Sequence, residues 1–241
     1  GRARPGSLPR KALCTGQVAQ QNSALPLDGW ELTRRERMTP IERIYFTSRI
    51  IHGDLSSADG ELSGQLGPAG TWVPFIKTAL MALGNLADLE GPMRFIYRDA
   101  PELADQMKAI DADLQFAKYL RNVFGGHLNE TLIAKAYEWR PELRMLPDIR
   151  ELNGTVMLNV FVLETAINTY VAQDGQHGMF SSETDLVYPP DMERFCTWLS
   201  TTVRAAIRIC DMLGEITHVS VTPLGERRSE EHMSELQSRF G

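Results

Sequence analysis

Long apolar runs are missing from this sequence. The longest, Val156 to Leu163, is interrupted by Asn159 and falls short of the roughly 20 residues that a bilayer-spanning helix needs, so no transmembrane helix is expected. The amino-terminal residues include arginines but no apolar segment of about 7–15 residues before a small-residue cleavage site, and they do not read as a secretory signal. A cytoplasmic setting is the expectation. Cysteine is scarce: Cys14, Cys196 and Cys210 suit a reducing compartment, and the last two fall about four turns apart on one expected helix, too far to be bridged. They show no metal-ligand spacing. A paired-histidine metal motif, a glycine-rich phosphate loop and a nucleophile elbow are also absent, so no cofactor is expected. No internal repeat of fixed period is visible.

What is present is ordinary for a globular chain of 241 residues: 43% hydrophobic and 23% charged, with a net charge of −6. The charge is unevenly placed. Residues 1–37 hold seven Arg and Lys against three Asp and Glu, a net +4, and residues 226–241 carry a net −1, which leaves −9 for residues 38–225. A body that acidic is a poor non-specific binder of nucleic acid, because phosphate affinity rests on many Lys and Arg contacts. Any RNA contact is expected to be local.

Three segments follow. Residues 1–37 are rich in Gly, Pro, Arg and Gln without a sustained apolar period, and read as a disordered leader. Met38 is followed by Thr39, Pro40 and Glu42, a helix-opening signature of cap, first-turn proline and capping-box glutamate. Met38 is therefore the expected natural start, with the leader being upstream sequence read in frame. Residues 228–239 resemble the translation of a common sequencing-library adapter, with Met233 where that translation has threonine, so residues 226–241 are read as an artefact tail without function.

Between these ends, residues 38–225 read as one helical domain. A first helix is expected from Pro40 to Leu55, with Ile41, Ile44, Tyr45, Ile50 and Ile51 facing the core, followed by a loop from Ser56 to Gly70. A second begins near Trp72, carries Phe75, Ile76, Leu80, Leu83, Leu86 and Leu89, and stops at Gly91–Pro92. A third runs from Pro101 to a glycine pair at Gly125–Gly126. A shorter helix, capped by Asn129 and ended by Pro141, shows Leu132, Ile133, Ala136 and Tyr137 on one face. Residues Gly154 to Val171 are apolar almost all round, which predicts the most buried helix and the centre of the bundle. A last helix is expected from Pro189 to Gly214, with a weak strand pattern over Ile216 to Val221.

The third helix ends on the pattern with the most chemical content. Phe116, Tyr119, Leu120, Val123 and Phe124 recur at three- and four-residue spacing and bury one stripe, which fixes the direction of Arg121 and Asn122 beside it. In a continuous α-helix Arg121 and His127 would stand about 120° apart. The glycine pair is expected to break the helix in the left-handed conformation and fold His127 back toward Arg121.

Arginine, four to six intervening residues, then histidine is the hallmark of the HEPN superfamily, and Arg121-Asn-Val-Phe-Gly-Gly-His127 resembles it, including the polar residue after the arginine. Arg227 and His232 match the spacing too. What singles out Arg121 is its context: the following asparagine, the end of a long helix and a helical chain of suitable size. The resemblance covers the motif and the expected helices from about Met38 to Gly214. It departs from the family at Gly125–Gly126, where relatives more often have bulkier residues. It implies an all-α, HEPN-like bundle of about five to six helices, a homodimer pairing two sites, and a metal-independent endoribonuclease of the toxin or phage-defence kind, with RNA as substrate and a cognate antitoxin as partner.

The residue types suit that chemistry. An imidazole can exchange a proton with a ribose 2′-hydroxyl or the leaving oxygen, and a guanidinium can hold phosphoryl oxygens as charge builds. Asn122 would position. A rival reading keeps Arg121 bonded to carbonyls at its helix end and His127 as a turn cap, in a non-catalytic binding module. Glu164, inside the apolar helix, needs a partner, and Arg121 or His127 is expected to serve. Arg49, His52 and Asp54 form a second acid-base candidate, set against a plain helix-end histidine. Arg204 and Arg208 read as a solvated face.

Overall fold

The computed structural model describes residues 38–63, 72–126, 129–145 and 151–221. The leader, the tail and His127 lie outside the described residues.

Seven α-helices make up the described fold, with no strand beyond an isolated antiparallel bridge between Val171 and His177. Helix α1 spans Pro40–Ser63. It opens with the reciprocal cap expected from its sequence: the Glu42 N–H donates to Thr39 Oγ1 (3.2 Å) and the Thr39 N–H to Glu42 Oε2 (2.6 Å), which satisfies donors that the first turn leaves free. It does not stop at Leu55. Leu55 and Ala58 are fully buried, and that burial carries the helix through Ser56–Ser63 despite the glycine and serines there. Ile50, expected inside, is 67% exposed.

Helix α2, Trp72–Met93, buries Ile76, Leu80, Leu83, Leu86 and Leu89 as its spacing predicts. Pro92 sits inside its last turn, so the Gly91–Pro92 pair does not stop it. Helix α3, Pro101–Ala109, and helix α4, Asp111–Leu120, replace the single third helix expected. The break is at Ile110, with φ −115° and ψ 13°. Asp111 and Asp113 in the first turn of α4 face its positive end, and Asp113 accepts a hydrogen bond from Trp198 Nε1 at 2.8 Å.

Helix α5, Glu130–Trp139, is capped by Asn129, whose side chain accepts from the N–H groups of Thr131 (2.9 Å) and Leu132 (3.4 Å). Leu132 and Ala136 are buried, whereas Ile133 and Tyr137 are exposed. Helix α6 covers Leu152–Thr169 and is not the centre of the bundle. Its second half is buried, yet it lies against α5 and the end of α4, while α2 packs on α1, α4 and the long last helix α7, Pro189–Val221. All-round hydrophobicity in α6 reflects two covered flanks, not a central position. Helix α7 has 33 residues and runs roughly 50 Å at 1.5 Å per residue. It continues through Ile216–Val221, so the weak strand pattern there is overruled by helix propagation along α1.

Phe116 of α4 joins the layers. Its ring centroid lies 4.8 Å from Tyr170, 4.9 Å from Trp198 and 5.9 Å from Phe180, tying α4 to α7 and to the loop after α6. Edge and tilted pairs of this kind contribute about 0.5–1.5 kcal/mol each beyond area burial. Cys196 and Cys210 are free thiols.

Candidate functional site

Arg121 is the first residue of a π-helical turn, Arg121–Gly125, that continues α4. The glycine pair does not open the helix into the left-handed region: Gly126 has φ −93° and ψ −30°. The ladder widens instead, and the Gly126 N–H donates to the Arg121 carbonyl at 2.6 Å. An i→i+5 bond lays residue 126 over residue 121. A Cβ at Gly126 would stand 3.3 Å from the Arg121 carbonyl oxygen and 3.3 Å from Met81 Sδ, so the small residue is what lets this turn close against α2.

The Arg121 side chain lies flat on Gly84 of α2, where a Cβ would come within 2.6 Å of its Cδ. Its Nη1 donates to Asp88 Oδ2 (2.7 Å) and Asn85 Oδ1 (3.2 Å), and its Nε to Asn122 Oδ1 (3.1 Å). The other Asp88 oxygen pairs with Lys118 Nζ at 2.7 Å. Burial opposes the charged form of Asp88, but the hydrogen bonds and charges of Lys118 and Arg121 outweigh it and hold the carboxyl below the usual range. The Arg121 side chain is 15% exposed. Among the described residues nothing accepts from its Nη2, which leaves two donors. Lys77 adds a cation nearby on α2, over the Phe124 ring at 4.8 Å, with its pKa lowered by burial. The structure brings Arg121 and Asn122 together; His127 follows Gly126 in the sequence and lies outside the described residues.

Gly84→Ala tests this seat. Overpacking costs about 1–3 kcal/mol and the helix gains up to about 1 kcal/mol from losing a glycine, so a net loss near 1 kcal/mol in urea denaturation is the expected result.

Glu164 does not pair with Arg121, one of the two partners expected for it; the other, His127, lies outside the described residues. The partner of Glu164 is Arg140, at the end of α5, with Nε at 2.7 Å and Nη2 at 2.6 Å from Oε1, and Oε2 accepts the Leu186 N–H at 2.9 Å. Arg140 also reaches Asp185 at 3.1 Å. Burial pushes Glu164 above the ordinary carboxylate range, with Arg140 and the Leu186 N–H opposing. Burial pulls the Arg140 pKa down, and Glu164 and Asp185 more than restore it. Asn168 donates to the Thr184 carbonyl and accepts its N–H, both at 2.8 Å. These groups, with Trp139 and His177, line a cavity of about 730 Å³. They strap the loop after α6 onto that helix. The missed signal was Arg140 directly before Pro141, at a helix end where a cation is favoured.

In α1, His52 is not at a helix end, and its partner is not Asp54. Its Nε2 lies 3.0 Å from Asp211 Oδ1 of α7, and Arg49 donates through Nη2 to the Cys210 carbonyl. Arg204 pairs with Asp59 at 3.0 Å and Arg208 is exposed. No group of three or more His, Cys, Asp or Glu among the described residues is arranged to hold a metal ion, and no described helix is long and apolar enough to cross a membrane. No family model, curated protein or solved structure matches this chain.

Proposed function

We propose that this chain is a HEPN-like helical protein acting as a metal-independent endoribonuclease of the toxin or phage-defence kind, in a cytoplasmic setting. Arg121 holds the phosphoryl oxygens through Nη2, and Lys118 and Lys77 supply local attraction for RNA within an acidic body. His127 takes the proton of the ribose 2′-hydroxyl. The 2′-oxygen then attacks the adjacent phosphorus, the 5′-oxygen leaves with a proton, and a 2′,3′-cyclic phosphate remains. Asn122 holds the Arg121 Nε and keeps the guanidinium plane fixed. A homodimer would set two such sites side by side, and a cognate antitoxin would cover them.

One observation carries this reading. The widened turn stacks Gly126, the residue before His127 in the sequence, on Arg121, where a Cβ would stand 3.9 Å from Arg121 Cγ. A second reading, a binding module without catalysis, draws on a different observation: Arg121 is largely buried and already ion-paired with Asp88, as a structural arginine would be.

The deciding experiment is cleavage of RNA by the wild type in EDTA, with analysis of the product ends. Cyclic phosphate ends formed in EDTA, and lost in His127→Ala, support the nuclease. RNA bound but uncut by the wild type supports the module, and equal cutting by both proteins removes His127 from the mechanism.

A further inference from the structure

Helix α1 carries two stripes of identical spacing. Ile44, Ser48, Ile51, Leu55 and Ala58, separated by four, three, four and three residues, are buried against the bundle. Phe46, Ile50, Gly53, Ser57 and Gly60 repeat that spacing two residues later, which at about 100° per residue places them on the opposite side of the helix. All five are exposed, Phe46 at 46% and Ile50 at 67%. A helix face turned only to water is ordinarily charged and built from strong helix formers. This one carries no charge, and two of its residues are mid-helix glycines, which are disfavoured relative to alanine. Packing among the described residues does not require them, since a Cβ at Gly53 or Gly60 would have nothing within 4 Å.

The exposed stripe is complementary to itself in reverse. Its bulky residues stand in the first half and its small ones in the second. When a second α1 runs antiparallel across it about a two-fold axis at Gly53, residues equidistant from Gly53 on opposite sides meet. Phe46 then faces Gly60 of the second copy, Ile50 faces Ser56 and Ser57, and Gly53 faces its own mate, where two backbones can approach closely. The charges agree with the shape. Arg43 and Glu61, ten residues before Gly53 and eight after it, are both exposed and have no ion-pair partner among the described residues. Both stand about 80° to the same side of Gly53. A two-fold axis lying across the helices keeps each flank on its own side, so it brings Arg43 within two residues of Glu61 of the second copy at each end of the contact.

We propose that the outer face of α1 is an interface between two copies of this chain, paired antiparallel about a two-fold axis at Gly53. The contact is isologous, with the same patch used on both sides. Phe46 and Ile50 are its anchors, Gly53 and Gly60 are the hollows that receive the opposite helix, and the Arg43–Glu61 pairs fix direction and register. Asp54, exposed beside the axis, is opposed by its own mate and weakens the contact. The inference rests on no part of the nuclease reading: it concerns α1, whereas Arg121 is set between α2 and the end of α4.

Sedimentation equilibrium of the full-length protein over a concentration series measures the dimer dissociation constant, with circular dichroism as a check on folding. The wild type should be a dimer. Ile50→Glu should weaken it by roughly 30-fold or more, as for an anchor at the centre of an interface. Gly53→Leu should weaken it as strongly while raising the helix stability of the separated chain, because leucine is the better helix former, so a folding defect cannot account for the loss. Arg43→Glu and Glu61→Arg should each weaken the dimer about fivefold, the scale of a rim charge pair, and the two together should restore it. Asp54→Asn should tighten it about threefold. A wild type that stays monomeric, or a dimer that Ile50→Glu and Gly53→Leu leave unchanged, overturns the proposal. Failure of the double charge exchange to restore what each single exchange loses overturns the antiparallel pairing on which it depends. RNA cleavage has no part in this measurement.

Discussion

Arg140→Met is expected to cost about 3–5 kcal/mol, the usual penalty for leaving a buried charge without its partner. That is a large part of the roughly 5–15 kcal/mol by which a domain is stable. Glu164 keeps only 5% of its side chain exposed, and without Arg140 the Leu186 N–H is the described partner that remains to it. The loss should depend on pH in a definite direction. Burial already holds the Glu164 pKa above its ordinary value, and removing Arg140 takes away the hydrogen bond and the charge that oppose the rise. A carboxyl with a raised folded pKa favours the folded state below its unfolded pKa, and that contribution is lost as pH rises through the folded value. The deficit of the variant relative to wild type should therefore shrink from pH 7 toward pH 5. Asp88 and Asp185, both lowered, act in the opposite sense and weaken both proteins only in stronger acid. Denaturant titrations at several pH values check this. Adding Glu164→Gln to Arg140→Met removes the stranded charge and keeps an acceptor for the Leu186 N–H, so the double variant should recover most of the loss at pH 7.

His127→Ala should lower RNA cleavage by about 10²–10⁴-fold, the range for removing a general acid or base, with melting temperature and RNA affinity unchanged. Single-turnover rates with a labelled RNA in EDTA, beside a binding isotherm, make the distinction. A drop in affinity that matches the drop in rate would mean that the imidazole binds RNA and moves no proton. The arginine side of the site has a different dependence, because Asp88 competes with phosphate for the same guanidinium. Cleavage that requires Arg121 should be sensitive to salt through Lys118 and Lys77.

Local signals in the sequence were reliable where the physics is local. The Thr39–Glu42 box, the Asn129 cap and the α2 leucine stripe each follow from neighbouring residues, and each appears as expected. Helix ends set by distant packing were not legible. Ser56–Ser63 carries loop-like residues, yet Leu55 and Ala58 are held against the rest of the bundle and the helix goes on. The partners of buried charges were also hidden: Glu164 meets Arg140, 24 residues earlier, and His52 meets Asp211, and neither pairing leaves a mark in spacing. At the candidate site the expected device differs from the observed one. Glycines suggested a left-handed break, but Gly126 serves by having no side chain to strike Met81.

The widened turn at Arg121–Gly125 amounts to one surplus residue accommodated within an otherwise regular helix. Deleting one position there would let the ordinary i→i+4 ladder close while the helix keeps its buried face. The stacking of residue 126 on Arg121 would be lost with it. The turn is therefore a place where natural variants of this chain can differ by one residue in length without losing the packing of α4 on α2.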